Sequence, residues 1–242
     1  SWLLEDTLPI QFCNDVAIWG DTLAAGDANP YDGVGGEVQV YHLSPSGWVL
    51  EQAIRPDSVP YGQFIADSGD AFGLSVDLVG DTLIVGAPYD QIPTDPSTED
   101  RGAAFIFERS GTTWTQYTKI TPITPIPGSI FGTAVGFIPG HTTFAAIGAS
   151  SRLVPGPGRV YTFELSGGLW QQRQVITPTS SENADWFGDS LALAGGPNDG
   201  TLIVGAPKFE PNTSVIPDVG ATVSFRIDSH NATQTQSLLE RS

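Results

Sequence analysis

Apolar residues in this chain fall into short alternating runs parted by polar turns, and the same order of runs keeps returning. Leu74-Ser75-Val76-Asp77-Leu78-Val79 alternates with a period of two, as a strand with one buried face does. A Gly80-Asp81 turn follows, of the kind a two-residue hairpin prefers, and then the unbroken run Leu83-Ile84-Val85, which suits burial on both faces. After a polar loop, Phe105 and Phe107 alternate along a third strand. A Ser110-Gly111 turn and a strand led by Trp114 and ending at Ile120 close the unit. The pattern therefore predicts four short strands per unit, and no stretch shows helical spacing long enough to compete.

The unit recurs. Phe-aromatic starts at Phe12, Phe72, Phe131 and Phe187 are separated by 60, 59 and 56 residues. Each is followed in the same order by a Gly-rich strand end, an alternating strand and a Trp-led or equivalent strand, which places the repeats at about 12–58, 72–122, 131–178 and 187–239. A fixed period of this size means stacked supersecondary units that bury an apolar face only against their neighbours. High Gly and Pro content with evenly spaced strands predicts an all-β fold, a single β-propeller domain over 1–242 with four blades of four antiparallel strands.

The motif residues are Phe72-Gly73 with Gly86-Ala87-Pro88, and Phe187-Gly188 with Gly205-Ala206-Pro207. The third repeat keeps Phe131-Gly132 but reads Gly148-Ala149-Ser150, and the first diverges most, with Phe12-Cys13 and Gly26-Asp27-Ala28. In this ordered set the chain resembles the FG-GAP repeat family, the blades of the integrin alpha-subunit propeller, and more closely the FG-GAP repeats of bacterial and algal surface proteins. These residues read first as packing devices. Gly permits close backbone approach, Pro ends the strand, and the aromatic fills space between blades. The resemblance implies a non-catalytic extracellular or cell-surface module that binds protein or glycan through loops on one propeller face. A structural subunit of a larger surface or envelope assembly is the alternative.

Integrin-type repeats carry a calcium loop, Asp-x-Asp-x-Asp-Gly, before the Gly-Ala-Pro strand. The corresponding turns here, Gly20-Asp21, Gly80-Asp81, Pro139-Gly140 and Asn198-Asp199-Gly200, lack it, so that role is not carried over. A different acidic set follows that strand: Asp27, Asn29 and Asp32 in the first repeat, and Asp90, Asp95, Glu99 and Asp100 in the second. Clustered oxygens of this kind suit a hard cation such as Ca2+, although no cofactor is required and Asp and Asn are also ordinary turn residues.

Composition narrows the setting. With 27 acidic against 10 basic residues, the formal charge of −17 disfavours nucleic acid and anionic lipid as partners. No apolar run is long enough to span a membrane. The chain begins at Ser1, contains no Met and shows no signal peptide, which reads as a processed or partial chain with a secreted or surface location. Asn212 and Asn231 head glycosylation sequons. Cys13, the single cysteine, stands where other repeats place Gly and reads as a small buried residue.

Chemistry is sparse. His42, His141 and His230 fall at unrelated points of their repeats, and no nucleophile elbow, phosphate loop or Cys-x-x-Cys occurs. The pairs Asp67/Asp70 and Glu182/Asp185 precede their Phe-Gly motifs and read better as loop caps than as acid–base pairs. The expectation is a protein that is not an enzyme. At the ends, residues 1–10 resemble a Trp-led strand, with Trp2 in the lead, and so are expected to complete the last blade and close the ring. Thr233 to Leu239, with Ala232 in the place of Trp, competes for the same position; if it wins, the repeats belong to a larger propeller or an oligomer.

Overall fold

The computed structural model describes residues 7–10, 12–28, 36–55, 70–90, 101–154, 156–178, 186–196, 198–208, 220–228 and 231–238. The strands are β1 (Cys13–Trp19), β2 (Thr22–Asp27), β3 (Glu37–Ser44), β4 (Gly47–Ile54), β5 (Ser75–Val79), β6 (Thr82–Ala87), β7 (Ala103–Ser110) and β8 (Thr113–Ile120). They continue as β9 (Phe131–Ile138), β10 (His141–Ala149), β11 (Arg159–Ser166), β12 (Leu169–Ile176), β13 (Ser190–Ala194), β14 (Gly200–Ala206), β15 (Ala221–Asp228) and β16 (Asn231–Leu238). Consecutive fours form four antiparallel sheets, β1–β4, β5–β8, β9–β12 and β13–β16, each in chain order. The fold is all-β with four four-stranded blades, as the run pattern predicts.

Turn chemistry explains the hairpins. Gly20, Gly80 and Gly111 hold positive φ at the first of two turn residues, a position where glycine carries no steric cost. Every blade also carries one register shift between its third and fourth strands, at Val40/Tyr41, Ile106/Phe107, Thr162/Phe163 and Ser224/Phe225. Such a bulge bends the outer strand and increases its twist.

The blades are joined by three apolar cores. The first holds Ala24, Val38 and Val40 of blade 1 against Phe72, Leu78 and Phe105 of blade 2. The second holds Ile84, Ala104 and Ile106 against Phe131, Val135 and Tyr161. The third holds Phe144, Ala146 and Val160 against Phe187, Leu202 and Phe225. Phe72, Phe131 and Phe187 are fully buried. Each meets aromatics of its own third strand edge-on, Phe72 with Phe105 at 5.5 Å, Phe131 with Tyr161 at 5.3 Å and Phe187 with Phe225 at 6.0 Å.

β1 packs on β5, β5 on β9 and β9 on β13, but among the described residues β13 and β1 do not pack on each other in this way. The strand exchange expected of residues 1–10 falls largely outside the described residues. Residues 1–6 lie outside the described residues, and residues 7–10 are not strand. The fourth position of blade 4 is filled by β16, whose Ala232 pairs with Ile227 as Trp48, Trp114 and Trp170 pair with Leu43, Arg109 and Leu165. The competing C-terminal segment has taken the edge. Cys13 is exposed rather than buried, because among the described residues no blade covers that side of β1.

Candidate functional site

Identical blade topology gives the molecule two unlike ends. The first-to-second and third-to-fourth strand hairpins all leave from one end of the sheets, and blades 1 to 3 turn there in two residues. The second-to-third connections and the crossings between blades all leave from the other. Those second-to-third connections span 28–36, 88–102, 150–158 and 207–220, and they vary in length and sequence. Long, variable segments gathered on one end of a rigid scaffold are the usual address of a binding surface.

The Phe-Gly motif anchors this loop end. The residue before each Phe is left-handed, with φ of 50° at Ala71, 51° at Ile130 and 55° at Trp186, and the Gly after it has φ of 92°, 95° and 89°. The backbone thereby kinks into the seam between blades. The Phe131 N–H donates to the Arg101 carbonyl (3.1 Å), and the Phe187 N–H to the Pro157 carbonyl (2.9 Å). At Trp186 two of the ten basic residues converge: the Arg152 guanidinium lies 4.9 Å and the Lys208 ammonium 5.5 Å from the ring centre. Arg152 is held by Asp189, whose Oδ1 accepts from its Nε at 2.6 Å.

The acidic candidates separate. Asp27 ends β2 and is buried, with an interaction of its own, whereas Asn29 and Asp32 lie outside the described residues. Asp90 is buried and accepts a 2.6 Å bond from Lys119 Nζ, so it pins the loop after β6 to β8. Burial pushes its carboxyl pKa up and Lys119 pulls it back. Asp95, Glu99 and Asp100 are outside the described residues, as are Asp67, Glu182, Asp185 and Asn212. Asn231 opens β16. Among the described residues no three His, Cys, Asp or Glu side chains gather as a metal site would require.

A second concavity lies along the inner strands. A cavity of about 430 Å3 is lined by residues of β1, β5, β9 and β13, among them Asp15, Asp77, Trp19 and Leu193. Asp15 Oδ2 accepts from the Val76 N–H (2.9 Å), and Asp77 Oδ2 from the Phe137 N–H (2.6 Å). Their other oxygens accept from the N–H groups of Val16 and Leu78. Each carboxylate thus links one inner strand to the next. Burial raises both pKa values, the backbone bonds oppose this, and the charge of Asp15 raises that of Asp77 further. Both escaped the sequence reading, although a lone Asp at position 77 in an apolar alternation is a signal for a satisfied interior carboxylate.

No helix of the described residues is long and apolar enough to cross a membrane. A comparison with curated proteins finds none that matches the chain. Against known families, residues 66–107 match the FG-GAP repeat. The match covers the Phe72-Gly73 motif, β5, β6, Gly86-Ala87-Pro88 and β7 up to Phe107, and the same geometry of Phe-Gly, paired strands and Gly-ended second strand recurs at Phe131 and Phe187. On these grounds residues 66–107 of the chain form an FG-GAP repeat.

Proposed function

We propose that the protein is a non-catalytic extracellular recognition module that binds protein or glycan through the loop end of its blades. The observation that carries this reading is the segregation of the two-residue hairpins of blades 1 to 3 to one end and of the variable second-to-third connections to the other. FG-GAP repeats are associated with extracellular recognition and adhesion, and the strongly acidic chain suits a basic or cation-bridged partner. The Asp15/Asp77 pair supports no catalytic role here, since each oxygen already serves a backbone donor. Asp27 with Asn29 and Asp32 is the Ca2+ candidate on the same end, and calcium titration with and without Asp27→Asn checks it. The main test is a screen of immobilised glycans and extracellular matrix proteins. Binding should vanish when 91–100 is replaced by a Gly-Ser linker of equal length and survive replacement of Gly111-Thr112. Loss only on altering the hairpin end sinks the reading.

The assembly-subunit reading draws on a different observation. Phe12, Val16 and Ile18 are 53%, 59% and 61% exposed on a face of blade 1 that no other described blade covers, an apolar patch of the kind that marks an interaction surface. Concentration-dependent mass in solution, abolished by Val16→Asp with Ile18→Lys, is the outcome it requires.

A further inference from the structure

At each filled seam, the same parts of one blade receive the next. A Cβ on Gly26, Gly86 or Gly148 would stand 1.9, 2.0 or 2.0 Å from the carbonyl oxygen of Gly73, Gly132 or Gly188 of the following blade. A Cβ on Gly36, Gly102 or Gly158 would stand 2.2, 2.0 or 2.0 Å from the carbonyl oxygen of the following Phe. Gly26, Gly86 and Gly148 are thus required by the neighbour, whereas Gly36, Gly102 and Gly158 also hold positive φ of their own. In blade 2 the Ser75 hydroxyl also donates to the Gly132 carbonyl (2.9 Å). Farther out, Gln52 clamps Trp114, accepting from its N–H (2.8 Å) and donating to its carbonyl (3.0 Å), and Gln174 does the same to Ala232.

Blade 4 keeps every part. Gly205 and Gly220 hold the two glycine positions, Ser190 stands at the Ser75 position opposite Gly205, and Gln236 pairs with Ser224 as Gln52 pairs with Val40. Among the described residues, nothing from another blade meets the two glycine positions. The three described atoms nearest a Cβ on Gly205 all belong to Ser190, and a Cβ on Gly220 meets nothing nearer than 3.4 Å among the described residues. Ser190 is exposed where Ser75 is buried.

We propose that blade 4 is a seat for the Phe-Gly of a further FG-GAP blade, supplied from outside residues 1–242. The occupant is not blade 1, of this copy or a second. A Cβ on the Gly of the motif would stand 2.7, 2.3 or 2.4 Å from the carbonyl oxygen of Glu37, Ala103 or Arg159 in the preceding blade. Cys13 carries such a Cβ, so Phe12-Cys13 cannot enter a seam built this way. The surround also fits a joint between separately folded units: Thr222 and Ser224 take the register positions that Ala104 and Ile106 hold in the second core. This inference does not depend on the recognition reading above.

The test adds a fifth unit, a copy of residues 121–178, after Leu238 of the full chain. Ser190→Cys, in a Cys13→Ser background, reports on the seat through its rate of thiol labelling. Labelling should fall about tenfold or more once the copy docks, because reagent then reaches the thiol only by local opening. The protection should disappear when the copy carries Gly132→Val. It should also disappear with Gly205→Val, a change that leaves the unfolding temperature of the four-blade chain nearly as it was. Labelling unchanged by the added copy, or equal protection by the Gly132→Val copy, overturns the proposal. So does a large loss of stability from Gly205→Val in the four-blade chain, because the seat would then already be filled. None of these readouts involves ligand binding, so their failure is separate from failure of the recognition reading.

Discussion

At the scale of single residues, the glycines that face a neighbouring carbonyl divide by what they face. Gly86→Ala sets a methyl 2.0 Å from a backbone oxygen that cannot swing aside, and a loss of about 3 kcal/mol is expected in urea unfolding. Gly205→Ala meets only a serine hydroxyl that can rotate, so a cost below about 1 kcal/mol is expected. Equal costs would refute the assignment. Three aspartates, Asp90 buried and Asp15 and Asp77 half-buried, set a pH dependence. Burial raises Asp15, Asp77 and Asp90 above the ordinary value of 3.8, so the folded chain holds protons that the unfolded chain has released. Their stabilisation is therefore complete below 3.8 and is lost as pH rises through the folded values. Asp77→Asn should flatten the fall of unfolding free energy on this limb, and an unaltered slope would count against it.

At the scale of elements, the outer edges of the blades depend on side-chain amides that imitate a strand. Gln174 makes two bonds to the backbone of Ala232, and these join β12 to β16 across the third seam. Gln174→Ala leaves a part-buried N–H and C=O without partners, which costs about 1–3 kcal/mol and should speed amide exchange in β16 before β15. Simultaneous exchange of both strands would show that the clamp does not set the order. The strands and hairpins were legible in the sequence because Gly-Asp turns and period-two runs are local signals. The clamp was not, because its partners are 58 residues apart and a Gln on an outer strand looks like any solvated residue. That β16 holds the fourth position of blade 4 was not legible for a related reason: residues 1–10 and β16 carry similar alternations, and sequence alone cannot rank two segments for one edge.

At the scale of the whole molecule, a formal charge of −17 works against compactness. Raising ionic strength to about 0.15 M screens charges beyond roughly 8 Å, so the unfolding temperature should rise with added NaCl, and a flat response would show that the acidic groups are already compensated locally. The repeat period made the stacked architecture readable, since every blade repeats the same apolar register. What the period could not show is where the axis lies. Asp15 and Asp77 become a linked pair only when β1, β5 and β9 are brought side by side, and the exposure of Cys13 shows only once the described residues are seen to leave that side of blade 1 uncovered. Of the site candidates on the loop end, Asp90 proves to be committed to Lys119, a partner 29 residues away that no spacing rule connects to it.

The division between a hairpin end and a loop end also makes the protein a chassis for display. Foreign peptides inserted between Ser151 and Pro157 enter a connection that already differs from blade to blade, and several such insertions in different blades would point the same way. The same peptide placed between Gly167 and Gly168 would break a turn in which both residues are left-handed and shift the pairing of β11 with β12. Libraries built on one end should therefore retain the fold while those built on the other should not.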